Sequence, residues 1–287
     1  MPFDMANHIQ AVVIGDNVYV GGGFTWPQNK GVVVMVYSLD TESWRTLPPQ
    51  ESQFFGMTAV NDQLVLVGGQ VISTGKETNV LSVWDELLRW THPFPEMLTP
   101  RHSPSVVSYQ KWLVVAGGDG GGYLNTVELL DTLSGQWYKG PPLPSGCSEM
   151  TAAINGNMWY LAGGFYLRGT KKQVFSVCLD EFIPQAVSQS AGTTSPSIPS
   201  PRQTLTDTPL PRSTVLVVNG ALLAVGGDDS SVICHYQPSS RSWVKVGDLP
   251  TPRWVCACTV LPNGEIFLAG GNGRGNSHRL DIGAVTF

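Results

Sequence analysis

Six glycine doublets recur along the chain, each closing a short apolar run, and their spacing restricts what the chain can fold into. Gly22-Gly23 follows Asn17-Val18-Tyr19-Val20, Gly68-Gly69 follows Gln63-Leu64-Val65-Leu66-Val67, and Gly117-Gly118 follows Trp112-Leu113-Val114-Val115-Ala116. Gly163-Gly164, Gly226-Gly227 and Gly270-Gly271 stand behind similar runs, so successive doublets are 46, 49, 46, 63 and 44 residues apart. A self-similar period of about 45 residues marks a chain built from copies of one supersecondary unit. No copy can bury its apolar face without its neighbours, so the 287 residues read as a single domain, 1–287.

Within a unit the order of elements repeats. In the fifth, Thr214–Val218 and Ala221–Val225 flank Asn219-Gly220, a two-residue hairpin signal. A third strand follows at Val232–Tyr236 and a fourth at Ser242–Val246, and Leu249-Pro250-Thr251-Pro252-Arg253 leads into the next unit. Gly15-Asp16-Asn17, Asn61-Asp62, Asn155-Gly156 and Pro262-Asn263-Gly264 supply comparable turns elsewhere. Trp44, Trp90, Trp137 and Trp243 fall at one place on the fourth strand, where large aromatics fill the space between neighbouring sheets. Hydrophobic residues at 42%, charged residues at only 14%, and 32 Gly with 21 Pro fit many short strands joined by turns.

These residues resemble kelch repeats: the doublet after the second strand, Tyr37-Ser38-Leu39-Asp40-Thr41-Glu42-Ser43-Trp44, and the Pro-Arg segment at 252–253. The resemblance covers almost the whole chain and implies an all-β, six-bladed kelch-type β-propeller with four antiparallel strands per blade. The expected blades are residues 5–49, 50–98, 99–144, 145–208, 209–249 and 250–287. Two departures stand out. The long interval holds a Ser/Thr/Pro stretch at 183–200, read as a flexible insertion in blade four, with Arg202 where a tryptophan would stand. The sixth unit ends soon after a third strand around His278–Ile282, so either the last blade is incomplete or its missing strand lies outside the chain.

In such a blade the loops after the doublets and the links between blades emerge on one face. Carried over by position, that mouth holds Arg101, Arg212 and Arg253 at the Pro-Arg sites. It also holds Phe24, Thr25 and Trp26, Lys76 and Glu77, Asp119 and Tyr123, Phe165, Tyr166 and Arg168, Asp228 and Asp229, Asn272 and Arg274. The expected partner-binding residues are Arg101, Arg212, Arg253, Trp26, Tyr123, Tyr166, Arg168 and Arg274. Aromatics beside arginines suit a binding patch, and arginine can clamp a carboxylate through two hydrogen bonds. The resemblance implies a non-enzymatic module that holds a protein or peptide with acidic groups. The alternatives are a sugar-modifying enzyme of the mutarotase type and a cytoskeleton-binding scaffold. The competing structural role for the arginines is pairing with acids or carbonyls between blades.

No catalytic residue, cofactor site or metal site is expected. The five histidines scatter over different blade positions, and Asp228-Asp229 reads as a solvated pair. Cys256-Ala257-Cys258 puts two thiols on one face of a strand, where two small core side chains explain them. A net charge of −5 argues against nucleic acid or an anionic membrane as partner. No apolar stretch is long enough to span a bilayer. Met1–His8 does not read as a signal peptide, and five irregularly spaced cysteines fit a reducing, cytoplasmic setting.

Overall fold

A computed structural model describes residues 9–23, 34–166, 169–170, 174–190, 202–203, 213–227, 230–253, 256–270 and 282–283. Blade one runs β1 (Gln10–Ile14), β2 (Asn17–Gly21), β3 (Met35–Ser38) and β4 (Ser43–Thr46), each antiparallel to the one before. Blade two has a split inner strand: β5 (Ser52–Gln53) and β6 (Gly56–Val60) both pair with β7 (Gln63–Val71), followed by β8 (Glu77–Asp85) and β9 (Arg89–Thr91). Blade three is β10 (Ser105–Tyr109), β11 (Trp112–Ala116), β12 (Val127–Asp131) and β13 (Gln136–Gly140). In blade four, β14 (Thr151–Asn155) and β15 (Met158–Ala162) precede a small ribbon of β16 (Phe165–Tyr166) and β17 (Gly169–Thr170). The blade resumes with β18 (Val174–Cys178), helix α1 (Leu179–Ser190) and β19 (Arg202–Gln203). Blade five is β20 (Thr214–Val218), β21 (Ala221–Val225), β22 (Ser230–Gln237) and β23 (Ser242–Arg253).

The expected six four-stranded blades are corrected to five complete ones. Among the described residues the sixth unit supplies β24 (Ala257–Val260), β25 (Ile266–Ala269) and β26 (Ile282–Gly283), a three-stranded sheet. Its third strand is just two residues, with Phe267 opposite Ile282 and Ile266 opposite Gly283. No fourth strand follows among the described residues. This sheet sits between blades five and one, because β24 packs beside both β20 and β1. The seam is apolar: Ala257, Leu261, Phe267 and Ala269 are buried with Val18, Val20, Met35 and Tyr37 of blade one. The Phe267 ring lies 5.8 Å from that of Tyr37 and 6.4 Å from that of Trp44.

Turn chemistry follows the sequence. Asn219 (φ 49°) and Gly220 (φ 80°) form the two-residue turn between β20 and β21. The fourth-strand tryptophans fill the inter-blade space as expected. Two of them also tether their blades: Trp90 Nε1 donates to the Pro48 carbonyl at 3.0 Å, and Trp137 Nε1 to the Pro95 carbonyl at 3.0 Å.

The 183–200 stretch is corrected at its start, where residues 183–190 belong to α1. Leu179, Phe182, Ile183 and Ala186 follow the i, i+3, i+4, i+7 spacing of a helix face, and all four are buried against blades three and four. The helix start is held by Asp180, which accepts from Tyr109 Oη at 2.7 Å and Asn157 Nδ2 at 2.9 Å. Those bonds hold its carboxyl below the usual range, the Asn157 bond contributing most. Gly140 makes room for the helix, since a Cβ there would stand 2.9 Å from the Phe182 ring. Phe182→Ala should therefore cost about 3–5 kcal/mol in urea unfolding. A loss within about 0.5 kcal/mol would show that α1 is not part of the core.

Candidate functional site at the propeller mouth

The doublets and the Pro-Arg links form one repeated joint. At Arg101, the carbonyl accepts from Gly69 N–H of blade two at 2.8 Å, while Nη1 donates to the Gly117 carbonyl of blade three at 2.8 Å. Arg253 repeats the pattern: its carbonyl accepts from Gly227 N–H at 3.0 Å, and its Nη1 donates to the Gly270 carbonyl at 2.7 Å. Four of the doublets must be glycine because both residues take positive φ, as at Gly117 (62°) and Gly118 (95°). A Cβ on Gly117 would also stand 2.5 Å from the Cys147 carbonyl oxygen.

This geometry redirects two of the expected binding arginines. Arg101 is 0% exposed and Arg253 1% exposed. Arg101 forms a buried ion pair with Glu128 of β12 and reaches the Thr126 carbonyl at 3.3 Å. Burial pulls its guanidinium below the usual value, and the Glu128 charge opposes that. Neither side chain is presented at the mouth, so both hold blades together. Trp26, Arg168, Arg212 and Arg274 lie outside the described residues, as do Phe24, Thr25, Asp228, Asp229 and Asn272. Tyr166 lies in the β16–β17 ribbon. Lys76 is exposed and Glu77 half-buried, on the turn into β8.

What surrounds the mouth in blades two to four is a set that the sequence did not single out as binding residues. Phe54 (φ 56°), Ser103 (φ 49°) and Glu149 (φ 58°) occupy equivalent positions just before their inner strands, each in the left-handed region. Their backbones are chained from blade to blade. Phe54 N–H donates to Gly22 O at 2.8 Å, Ser103 N–H to Phe54 O at 2.6 Å, and Glu149 N–H to Ser103 O at 3.1 Å. Non-glycine residues held at positive φ are uncommon and concentrate at functional sites. All three line an axial cavity of about 50 Å³ together with Ile9, Phe55 and Met150.

Outside this ring stand His102, Asp119, Tyr123 and Phe165. His102 and Asp119 exchange backbone hydrogen bonds at 2.9 and 2.8 Å, and the His102 ring lies 5.9 Å from that of Phe54. The loop from Asp119 to Tyr123 is well anchored. Asp119 Oδ1 accepts from the N–H groups of Gly121 and Gly122 at 3.0 and 2.8 Å, and Leu124 N–H donates to Gly118 O at 2.9 Å. Phe165 is tied to Ser148 by a reciprocal pair at 2.8 and 3.1 Å. Of the expected set, Tyr123 is thus the residue that the structure places, half-buried, on this anchored rim.

Below the mouth a second cavity of about 130 Å³ is lined by the inner strands. Both axial cavities are well short of the roughly 300–1,000 Å³ typical of small-molecule sites. A groove of about 420 Å³ lies off the axis, beside Trp90 and His92 of blade two. Among the described residues no three of His, Cys, Asp and Glu are placed to hold a metal ion, and no helix is long and apolar enough to cross a membrane.

Repeated four-stranded sheets around an axis, joined at glycine doublets, define a kelch-repeat β-propeller. The chain belongs to the KLHDC2/KLHL20/DRC7 Kelch-repeats domain family, matching over residues 1–164 and 55–271. It is similar to human Kelch-like protein 38, 21% identical over 83% of this chain and 39% of that protein. Mouse Kelch-like protein 35 is 25% identical over 82% of this chain and 38% of its own length. Host cell factor of Drosophila melanogaster is 29% identical over 28% of this chain and 5% of its own. The chain spans about two fifths of the length of the Kelch-like relatives. Kelch-repeat domains are characteristically non-catalytic and generally serve as protein–protein interaction modules.

Proposed function

We propose that this propeller holds a protein or peptide partner on the mouth formed by Phe54, His102, Ser103, Tyr123 and Glu149. The observation that carries the reading is the chain of left-handed residues running from blade to blade. It fixes side chains of three neighbouring blades around one opening, a preorganisation that lowers the cost of binding. The shallow axial cavities favour a partner laid across the rim over an enclosed small molecule. An acidic partner would gain nothing from Arg101 or Arg253, whose charges are directed inward.

Capture from native extract tests the reading. A His102→Ala/Tyr123→Ala chain should lose roughly tenfold or more in affinity for the partner bound by the unaltered chain. The control is Leu87→Ser/Leu88→Ser, at exposed positions (90% and 73%) on the turn between β8 and β9. That chain should bind normally. The reverse pattern, with both variants folded, would place the working surface on the other face.

A further inference from the structure

Cys256 and Cys258 bracket Ala257 at the start of β24, so strand alternation turns both side chains to one side. That side packs into the apolar core shared with blade five, and the strand borders the axial cavity of about 130 Å³, which Thr214, Thr151 and Ser105 also line. The two Sγ atoms are 3.4 Å apart. Cys256 is buried and Cys258 half-buried. Thr214 Oγ1 donates to the Cys256 carbonyl at 2.8 Å and fixes the strand start against blade five. The two thiols are electrostatically unequal. A hydrogen bond from Cys258, with the charge of Arg253, holds Cys256 below the usual thiol value, and burial pushes Cys258 well above it. The other three cysteines differ. Cys147 Sγ rests on Met150 Sδ at 3.0 Å, Cys178 ends β18, and burial pushes the Cys234 thiol up.

We propose that Cys256 and Cys258 are a peroxide-sensitive dithiol pair in the channel wall that closes to an intrastrand disulfide. The Cys256 thiolate attacks one oxygen of hydrogen peroxide, the O–O bond breaks, and hydroxide leaves and takes up a proton as water. Cys256 is then a sulfenic acid. Cys258 Sγ displaces that hydroxyl, the S–S bond forms, and the Cys258 proton leaves with it as a second water. In sum, two thiols lose two electrons and two protons, and one peroxide becomes two waters. Peroxide is small enough for the channel. Two residues of strand span about 6.6 Å, near the upper limit of Cα separation for a disulfide, so the bond is strained and readily reduced.

The test treats the native chain with hydrogen peroxide, removes the excess, then denatures it with an alkylating agent and maps peptides by mass spectrometry. The peptide carrying Cys256 and Cys258 should lose two hydrogens and escape alkylation, reversibly with dithiothreitol, while Cys178 and Cys234 remain fully alkylated. In a Cys258→Ser chain, Cys256 should stop at the sulfenic acid and take up dimedone. Full alkylation of both cysteines, or linkage of either to a third, would overturn the proposal. So would direct passage to the sulfonic acid with no dithiothreitol-reversible stage.

Discussion

Replacing Arg101 by methionine should lower the unfolding free energy by about 3–5 kcal/mol, read as a fall in the urea midpoint at constant slope. The guanidinium is wholly buried and joins the Glu128 carboxylate, the Gly117 and Thr126 carbonyls, and its own Thr99 carbonyl at 3.3 Å. Methionine leaves Glu128 as an unpaired acid that is 1% exposed, and uncompensated burial of a charge is the larger part of the loss. Adding Glu128→Leu should recover most of it, since exchanging a buried pair for apolar side chains is often close to neutral. The Leu98 N–H, which donates to Glu128 Oε2 at 3.0 Å, keeps the recovery short of complete. A single variant within about 1 kcal/mol of the parent would mean that the pair does not hold blades two and three together.

Gly117→Ala should be nearly as severe, at roughly 2–5 kcal/mol. An L side chain at φ 62° meets the left-handed penalty of about 1–2 kcal/mol. The new methyl also pushes on the Cys147 carbonyl, 2.5 Å away, which accepts from Gly118 N–H at 2.8 Å. The joint between blades three and four would have to open. Gly156→Ala is the control: it has a similar φ of 59° but nothing within 4 Å of a Cβ, so it should show the backbone penalty alone. Equal losses for the two substitutions would show that the doublet answers to turn geometry and not to blade contact.

The doublets made the repeat legible because two consecutive positive-φ glycines with a fixed apolar prefix are a local signal. They overstated the number of complete blades for the same reason. A doublet marks the end of a second strand, and whether a fourth strand follows is settled by pairing much further along the chain. Among the described residues the sixth unit has the hairpin and a two-residue third strand. Arg202 does lie on an outer strand but opposite Ser176, one place off the tryptophan position, since Trp137 stands opposite Leu130, the counterpart of Val177.

Helix α1 was hidden by composition. Pro184 and the serines after it read as a linker, yet Leu179, Phe182, Ile183 and Ala186 already carried the helical spacing. The arginines were located by their Pro-Arg context, but direction is a tertiary property. One clue was present: Glu128 stands between Val127 and Leu129 in a strand in which every residue is buried, and a buried acid requires a partner. The left-handed trio at the mouth left no such trace, since Phe54, Ser103 and Glu149 share a backbone conformation but no residue type.

Site-specific photocrosslinking tests the central claim most directly. A photoreactive phenylalanine analogue is placed at Tyr123 on the mouth or at Leu133, 77% exposed on the β12–β13 turn, and each chain is irradiated in native extract. A discrete adduct from position 123, competed away by excess unlabelled chain and absent from position 133, is the predicted result. The same adduct from position 133 alone would contradict the account.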